Sequence, residues 1–148
     1  DDLYLALRGI RTLSVRMKQH EQNALKIAKW LAGRDEVETV FHPALASCPG
    51  HEFFQRDFTG SNGLFSFVLK DNQTLNTRAM LDGMHHFKMG YSWGGFESLI
   101  LAINDVQSLR TVTTWAYKGP LVRLHVGLED VDDLIDDLSQ GFERLKSK

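Results

Sequence analysis

Leu3, Leu7, Ile10, Leu13, Met17, Ala24, Ile27, Ala28 and Leu31 recur at spacings of threes and fours, with a polar gap around His20-Glu21. That period is helical. Gly9 and Thr12 predict a break near the tenth residue, with Thr12 placed to cap a new helix that runs to Ala32. A helix from Thr12 to Ala32 is about 30 Å long. A compact chain of this size is only about 38 Å across. The segment before Thr12 must therefore project from the helix or fold across it. Its Leu3, Tyr4, Leu5 and Leu7 demand burial that a missing neighbour would supply.

Shorter runs follow. Val37–Phe41, ended by Pro43, reads as a strand, and the loop after it is dense in turn residues. "LFSFVL", Leu64–Leu69, is nearly all apolar, which predicts a strand placed centrally in a sheet. Residues Asn72–Met84 predict a helix with Leu75 and Ala79 inward. Phe87–Tyr91 and Leu121–Val126 predict further strands, and the stretch between them reads as a long connection with no clear pattern from Asn104 to Gly119. Val131, Leu134, Ile135, Leu138, Phe142 and Leu145 form one apolar stripe of a final helix. Asp130, Asp132 and Asp133 at its start and Arg144, Lys146 and Lys148 at its end match the helix dipole.

This order predicts an α+β fold: a small two-layer sandwich, with an antiparallel or mixed sheet of about four strands and helices on one face. The expected organisation is a single domain over residues 1–148, with residues 1–32 as a leading helical segment and 33–148 as the sandwich.

Composition narrows the function classes. A 43% hydrophobic and 24% charged chain folds as a globule. Its net charge of −2 supplies no basic field for nucleic acid. No apolar run reaches the length of a membrane span, and Asp1-Asp2-Leu3 has none of the basic and apolar regions of a signal peptide. Cys48 is alone, which suits a reducing cytoplasm and rules out an internal disulfide. The chain opens on a helical pattern with no initiating methionine, as a piece of a longer protein would. His42, Cys48, His51 and Glu52 lack zinc-site spacing, so no metal site is expected, and "HEFFQ" lacks the second histidine of a zinc-protease helix. His85-His86 suit a helix end. There is no dinucleotide fingerprint, P-loop or serine-hydrolase elbow.

Two stretches carry candidate chemistry. "GYSWGGFESLI", Gly90–Ile100, sets a Tyr-Ser-Trp triplet before a glycine pair. Either a surface shaped for a ligand or a bulged strand end has this pattern. In "LVRLHVGLED", alternation puts Leu121, Arg123 and His125 on one face and Val122, Leu124 and Val126 on the other. Arg123 is then either a solvated arginine paired with Glu129 or Asp130, or a guanidinium fork for a carboxylate.

"YSWGGFESLIL", "GHEFFQRDFTGSNGLFSFVL" and "LVRLHVGLEDVDDLIDDLSQGF" together resemble the C-terminal domain of the pyridoxal-phosphate enzymes of cysteine and methionine metabolism, of fold type I (aspartate-aminotransferase-like). "LALRGIRTLSVRMKQHEQNALKIAKWL" resembles the helix leading into that domain, so the likeness spans essentially the whole chain. Tyr91 and Trp93, where γ-synthases and γ-lyases have Glu-Ser-Leu, point to the cystathionine β-lyase branch.

The resemblance implies substrate-binding roles for four residues. Arg123 matches the arginine that binds the substrate α-carboxylate, Ser92 and Trp93 match residues beside that carboxylate, and Tyr91 matches a position lining the pocket. It also implies a parent enzyme that binds pyridoxal phosphate, forms a homotetramer and cleaves cystathionine to homocysteine, pyruvate and ammonia. None of the eight lysines stands in the family's Ser-x-Thr-Lys context. The expectation is therefore no catalytic residue and no cofactor on this chain alone, the cofactor being held by a missing N-terminal part. The alternatives are another family member (a γ-lyase, γ-synthase or cysteine desulfhydrase) or a stand-alone, non-catalytic amino-acid-binding or interaction module.

Overall fold

In the computed structural model, which describes residues 1–71, 76–103 and 105–146, the alternating stretch Leu121–His125 forms the middle strand of a five-stranded sheet. The elements are α1 (Asp2–Arg11), α2 (Leu13–Ala32), β1 (Val37–Phe41), α3 (His51–Asp57), β2 (Leu64–Leu69), α4 (Thr77–Asp82), β3 (Lys88–Met89), β4 (Leu99–Ile103), β5 (Leu121–His125) and α5 (Val131–Lys146). A 3-10 turn at Gln107–Leu109 precedes β5. The strand order is β1-β2-β5-β4-β3, with every pair antiparallel except β3 and β4.

Alternation decides the two faces of this sheet. Phe65 lies opposite Leu124 and Phe67 opposite Val122, with Ile100 opposite Leu124 on the other flank. These side chains are buried together with Ala24, Ile27, Ala28 and Leu31 of α2 and Leu134, Leu138, Phe142 and Leu145 of α5. Burial of each of the larger of these side chains contributes roughly 1.5–3 kcal/mol. Ser66 and Leu101 flank Arg123 in register, so that arginine stands on the opposite, more open face.

The helical leader bends as its sequence predicts, but by a different bond. Thr12 separates α1 from α2, yet its hydroxyl donates back to the Gly9 carbonyl (3.3 Å) instead of capping the new helix. Arg16 Nη2 donates to the same carbonyl at 2.7 Å. The continuous apolar period also hides a change of environment. α2 buries one face from His20 onwards, whereas Leu3, Leu5, Leu7, Ile10 and Val15 are exposed.

Three expectations on the elements need correction. β4 is a strand the pattern did not disclose, because its run directly continues a loop of glycine and exposed aromatics. The expected strand Phe87–Tyr91 pairs over only Lys88–Met89. Within the expected helix Asn72–Met84, α4 is helical over Thr77–Asp82, and it turns Thr77 and Met80 inward while Ala79 is exposed. Leu75 lies outside the described residues. The geometry of α4 is set by α5: Arg144 donates to the carbonyls of Ala79 (3.2 Å) and Met80 (3.0 Å), which fixes the outer side of α4. Among the described residues, no helix is long and apolar enough to cross a membrane.

Candidate functional site

β5 and the segment from Gly90 to Ser98 together form the site. The segment is fixed at three places. At its entrance, the buried Asp137 carboxylate of α5 accepts the backbone N–H groups of His85 (2.8 Å), His86 (2.7 Å) and Phe87 (3.0 Å). At its exit, Glu129 accepts the Ser98 N–H (2.7 Å) and hydroxyl (2.8 Å), and the Ser98 oxygen accepts the Gly127 N–H at 2.8 Å. A side chain at Gly127 would collide with the Phe96 carbonyl, so glycine is required where this exit crosses β5.

The middle of the segment is held by Arg123. Its Nη2 donates to the carbonyls of Gly90 (3.3 Å), Tyr91 (2.8 Å) and Ser92 (3.3 Å). Arg123 is half-buried, and no carboxylate pairs with it among the described residues. Glu129, one partner the sequence offered for it, is taken by Ser98. All three bonds use one nitrogen. The Nε and Nη1 hydrogens have no acceptor among the described residues, so these donors remain for an anion, while the nitrogen common to both edges of the fork, Nη2, is on the loop carbonyls.

Ser92 and Trp93 follow directly in the held segment and are exposed, as is Tyr91, whose relative exposure is 83%. With Phe96 these rings make an apolar rim beside an uncompensated guanidinium. Of the glycine pair, Gly94 serves conformation, with φ +84°, and a Cβ at Gly94 or Gly95 would meet no residue beyond its chain neighbours within 4 Å.

Beneath Trp93 lies a cleft of about 270 Å³ lined by Met17, His20, Asn62, Gly63, Leu64, Trp93, Gly94 and His125. The His20 and His125 rings are 5.3 Å apart, centroid to centroid. His20 Nδ1 lies 2.7 Å from the Val126 carbonyl. Burial pushes the His125 imidazole below its ordinary range.

The sequence singled out Arg123, Ser92, Trp93 and Tyr91, and the structure brings them onto one edge. It did not disclose Asp137, Ser98, Glu129 or His125 as the residues that hold that edge. Only the alternation of Arg123 with His125 was a signal, since it put both on one face. The loop histidines do not join them. His51 Nδ1 is on the Pro43 carbonyl (2.7 Å), His42 Nδ1 accepts the Ala44 N–H (3.2 Å), and no group of metal-ligating side chains exists among the described residues. Burial pushes the Cys48 thiol up, away from reactivity.

Comparison with known proteins places the chain. The family model described as "Cys/Met metabolism PLP-dependent enzyme" matches residues 1–143. Cystathionine beta-lyase of Haemophilus influenzae is 53% identical over 150 residues, covering 98% of this chain and 37% of the relative. Cystathionine beta-lyase of Escherichia coli is 52% identical over 150 residues, covering 98% of this chain and 38% of the relative. The chain thus spans little more than a third of the length of these relatives. Among solved structures, the cystathionine gamma synthase from Xanthomonas oryzae pv. oryzae in complex with cystathionine is similar with a TM-score of 0.81. It is 36% identical, over 97% of this chain and 38% of that one. On the family match and these identities, the chain belongs to the Cys/Met metabolism PLP-dependent enzyme family.

Proposed function

We propose that residues 1–148 are the substrate-carboxylate-binding domain of a pyridoxal-phosphate-dependent cystathionine β-lyase, with 1–32 as a leading helical segment and 33–148 as the sandwich. The observation that carries this reading is Arg123: a half-buried guanidinium that has, among the described residues, no carboxylate partner and no acceptor for its Nε and Nη1 hydrogens, next to an exposed Ser-Trp edge. Those donors suit an oxygen of an amino-acid carboxylate, and a two-oxygen grip would have Nη2 exchange a loop carbonyl for the second oxygen. The identities of 53% and 52% to proteins named cystathionine beta-lyase support cystathionine as the substrate.

None of the eight lysines stands in the Ser-x-Thr-Lys context that the resemblance implies for the cofactor lysine. The amines of Lys26 and Lys146 are engaged by Asp132 and by Glu36 and Glu143, and that of Lys88 by the His85 carbonyl. In this reading the cofactor is held by residues outside these 148, and this chain's work is orientation. Fixing the carboxylate fixes where the substrate's Cα–H bond points. The exposed Leu3, Leu5, Leu7 and Ile10 of α1 support packing against further protein, in a homotetramer, and the lone thiol supports a cytoplasmic location.

The test is Arg123→Lys in the holoenzyme that carries this chain. Loss of one charge-assisted hydrogen bond amounts to about 1.5–3 kcal/mol, or roughly 10- to 150-fold. Expected is a fall of at least about 10-fold in kcat/KM for cystathionine. A thermal melt on the same preparation separates binding from folding, which matters because lysine also gives up part of the hold on residues 90–92. Activity that falls only in step with the folded fraction refutes the carboxylate reading.

A further inference from the structure

His125 lies two residues beyond Arg123 on the same face of β5 and is 2% exposed. Its ring meets the turn that follows Trp93. Nδ1 accepts the Gly94 N–H at 3.4 Å, and Nε2 lies 3.0 Å from the Gly95 carbonyl. These two contacts assign the tautomer, because an Nδ1 that accepts leaves the proton on Nε2, where it donates to Gly95. A neutral imidazole satisfies both bonds. An imidazolium satisfies only one, since its Nδ1–H would face the Gly94 N–H, donor against donor.

The edge is thus held from both sides by one strand. Arg123 takes the carbonyls of residues 90–92, His125 takes residues 94 and 95, and Ser92 and Trp93 stand between them. Gly94, at φ +84°, is the point where the chain turns, so its N–H is the natural place to fix the direction in which Trp93 leaves the sheet. We propose that His125 is the positioning residue for the Ser92–Trp93 edge, and that its neutral form alone holds that edge in place. The consequence for substrate binding rests on the carboxylate reading above; the hold on the turn does not.

The surroundings favour the neutral form. Burial is the largest influence on His125, and His20 of α2 and Arg123 of β5 also oppose a positive charge. The Gly95 carbonyl and Glu129, just after β5, favour it and do not prevail. The imidazole therefore stays neutral at neutral pH and gains its proton only below the ordinary histidine value of about 6.5. Acidification through that range releases Gly94.

The experiment follows the Gly94 amide and the Trp93 indole N–H by NMR in the ¹⁵N-labelled chain as pH is lowered. Both are expected to shift in one step, with the midpoint of the His125 ring protons. In His125→Asn, a side-chain oxygen near the Nδ1 position accepts the Gly94 N–H without titrating, so the step disappears and the neutral-pH spectrum persists into acid. His125→Leu removes the hold at every pH. In the holoenzyme, His125→Leu is expected to raise KM for cystathionine roughly 10-fold, the equivalent of one hydrogen bond, with a smaller change in kcat, and His125→Asn to restore it. A Gly94 amide that does not follow His125 overturns the proposal, and this arm needs no variant to fold. If Arg123→Lys impairs the enzyme while KM is the same in all His125 variants, the clamp stands and the role of His125 in it is overturned. If neither position affects KM, the carboxylate reading falls with its consequence for His125, and the hold on the turn stands or falls on the Gly94 amide.

Discussion

Replacing Asp137 by asparagine tests whether the site is held from as far away as α5. The aspartate is 2% exposed and accepts three backbone N–H groups, one on Oδ1 and two on Oδ2. Either orientation of an asparagine amide leaves at least one of those N–H groups facing an NH₂. One charge-assisted bond is then lost, at about 1.5–3 kcal/mol, and the remaining ones weaken towards neutral strength. The expected destabilisation is about 2–4 kcal/mol, a large share of a typical domain's 5–15 kcal/mol. With a urea slope near 2 kcal/mol/M, the unfolding midpoint falls by about 1–2 M. Asp137→Leu leaves all three N–H groups without an acceptor and is expected to cost more. Hydrogen exchange gives a local readout, because Lys88 N–H bonds to the Ser98 carbonyl at 3.0 Å directly beyond the anchor. That amide should lose protection before those of β2 and β5. A midpoint unchanged within error in Asp137→Asn, or protection at Lys88 equal to wild type, refutes the anchor.

Two further outcomes are expected. Gly94→Ala should cost about 1–2 kcal/mol through its left-handed backbone alone, while Gly95→Ala, with neither positive φ nor a neighbour within 4 Å of its Cβ, should leave the urea midpoint unchanged. Equal effects at the two positions would contradict the backbone account. Burial pushes the buried Glu36 carboxyl up, but the hydrogen bonds from Lys146 and Arg34 together outweigh it and leave it below the ordinary range. Its folded form thus binds a proton less readily than its unfolded form. The stability it contributes is present above about pH 4.3 and lost as pH falls through the lower folded value. Glu36→Gln should flatten the acid limb of a stability–pH curve, and an unchanged limb would remove Glu36 from the account.

Much of the architecture was legible because the strongest signals are periodic. Leu64–Leu69 and Leu121–His125 alternate or run apolar, and they occupy adjacent central positions where burial enforces the pattern. The stripe of α5 is equally plain, since one face packs and the other is solvated. Weak elements were not legible for the same reason. β3 has two exposed residues, so packing imposes no pattern on it, and its pairing depends on Asp137 from a helix some fifty residues away. β4 begins directly after its loop, with only Ser98 and Ile100 marking where burial starts. The period of the leading helices misled in the opposite sense, because it predicts a buried stripe whether or not anything covers it. Leu3 at 88% exposure shows that nothing among the described residues does.

The site divides along the same line. By itself the sequence determined which residue types are present and which share a face: an arginine among apolar neighbours, alternating with a histidine, and a Ser-Trp pair before two glycines. Those are local facts of period and composition, and local facts survive in one dimension. Only the tertiary structure decided what each polar group does. It gave Glu129 to Ser98 and, among the described residues, left Arg123 without a carboxylate, and it set His125 against the turn after Trp93. Hydrogen bonds between segments about thirty residues apart are chosen by which strands come to lie side by side. A buried polar group must take the partner that folding brings to it.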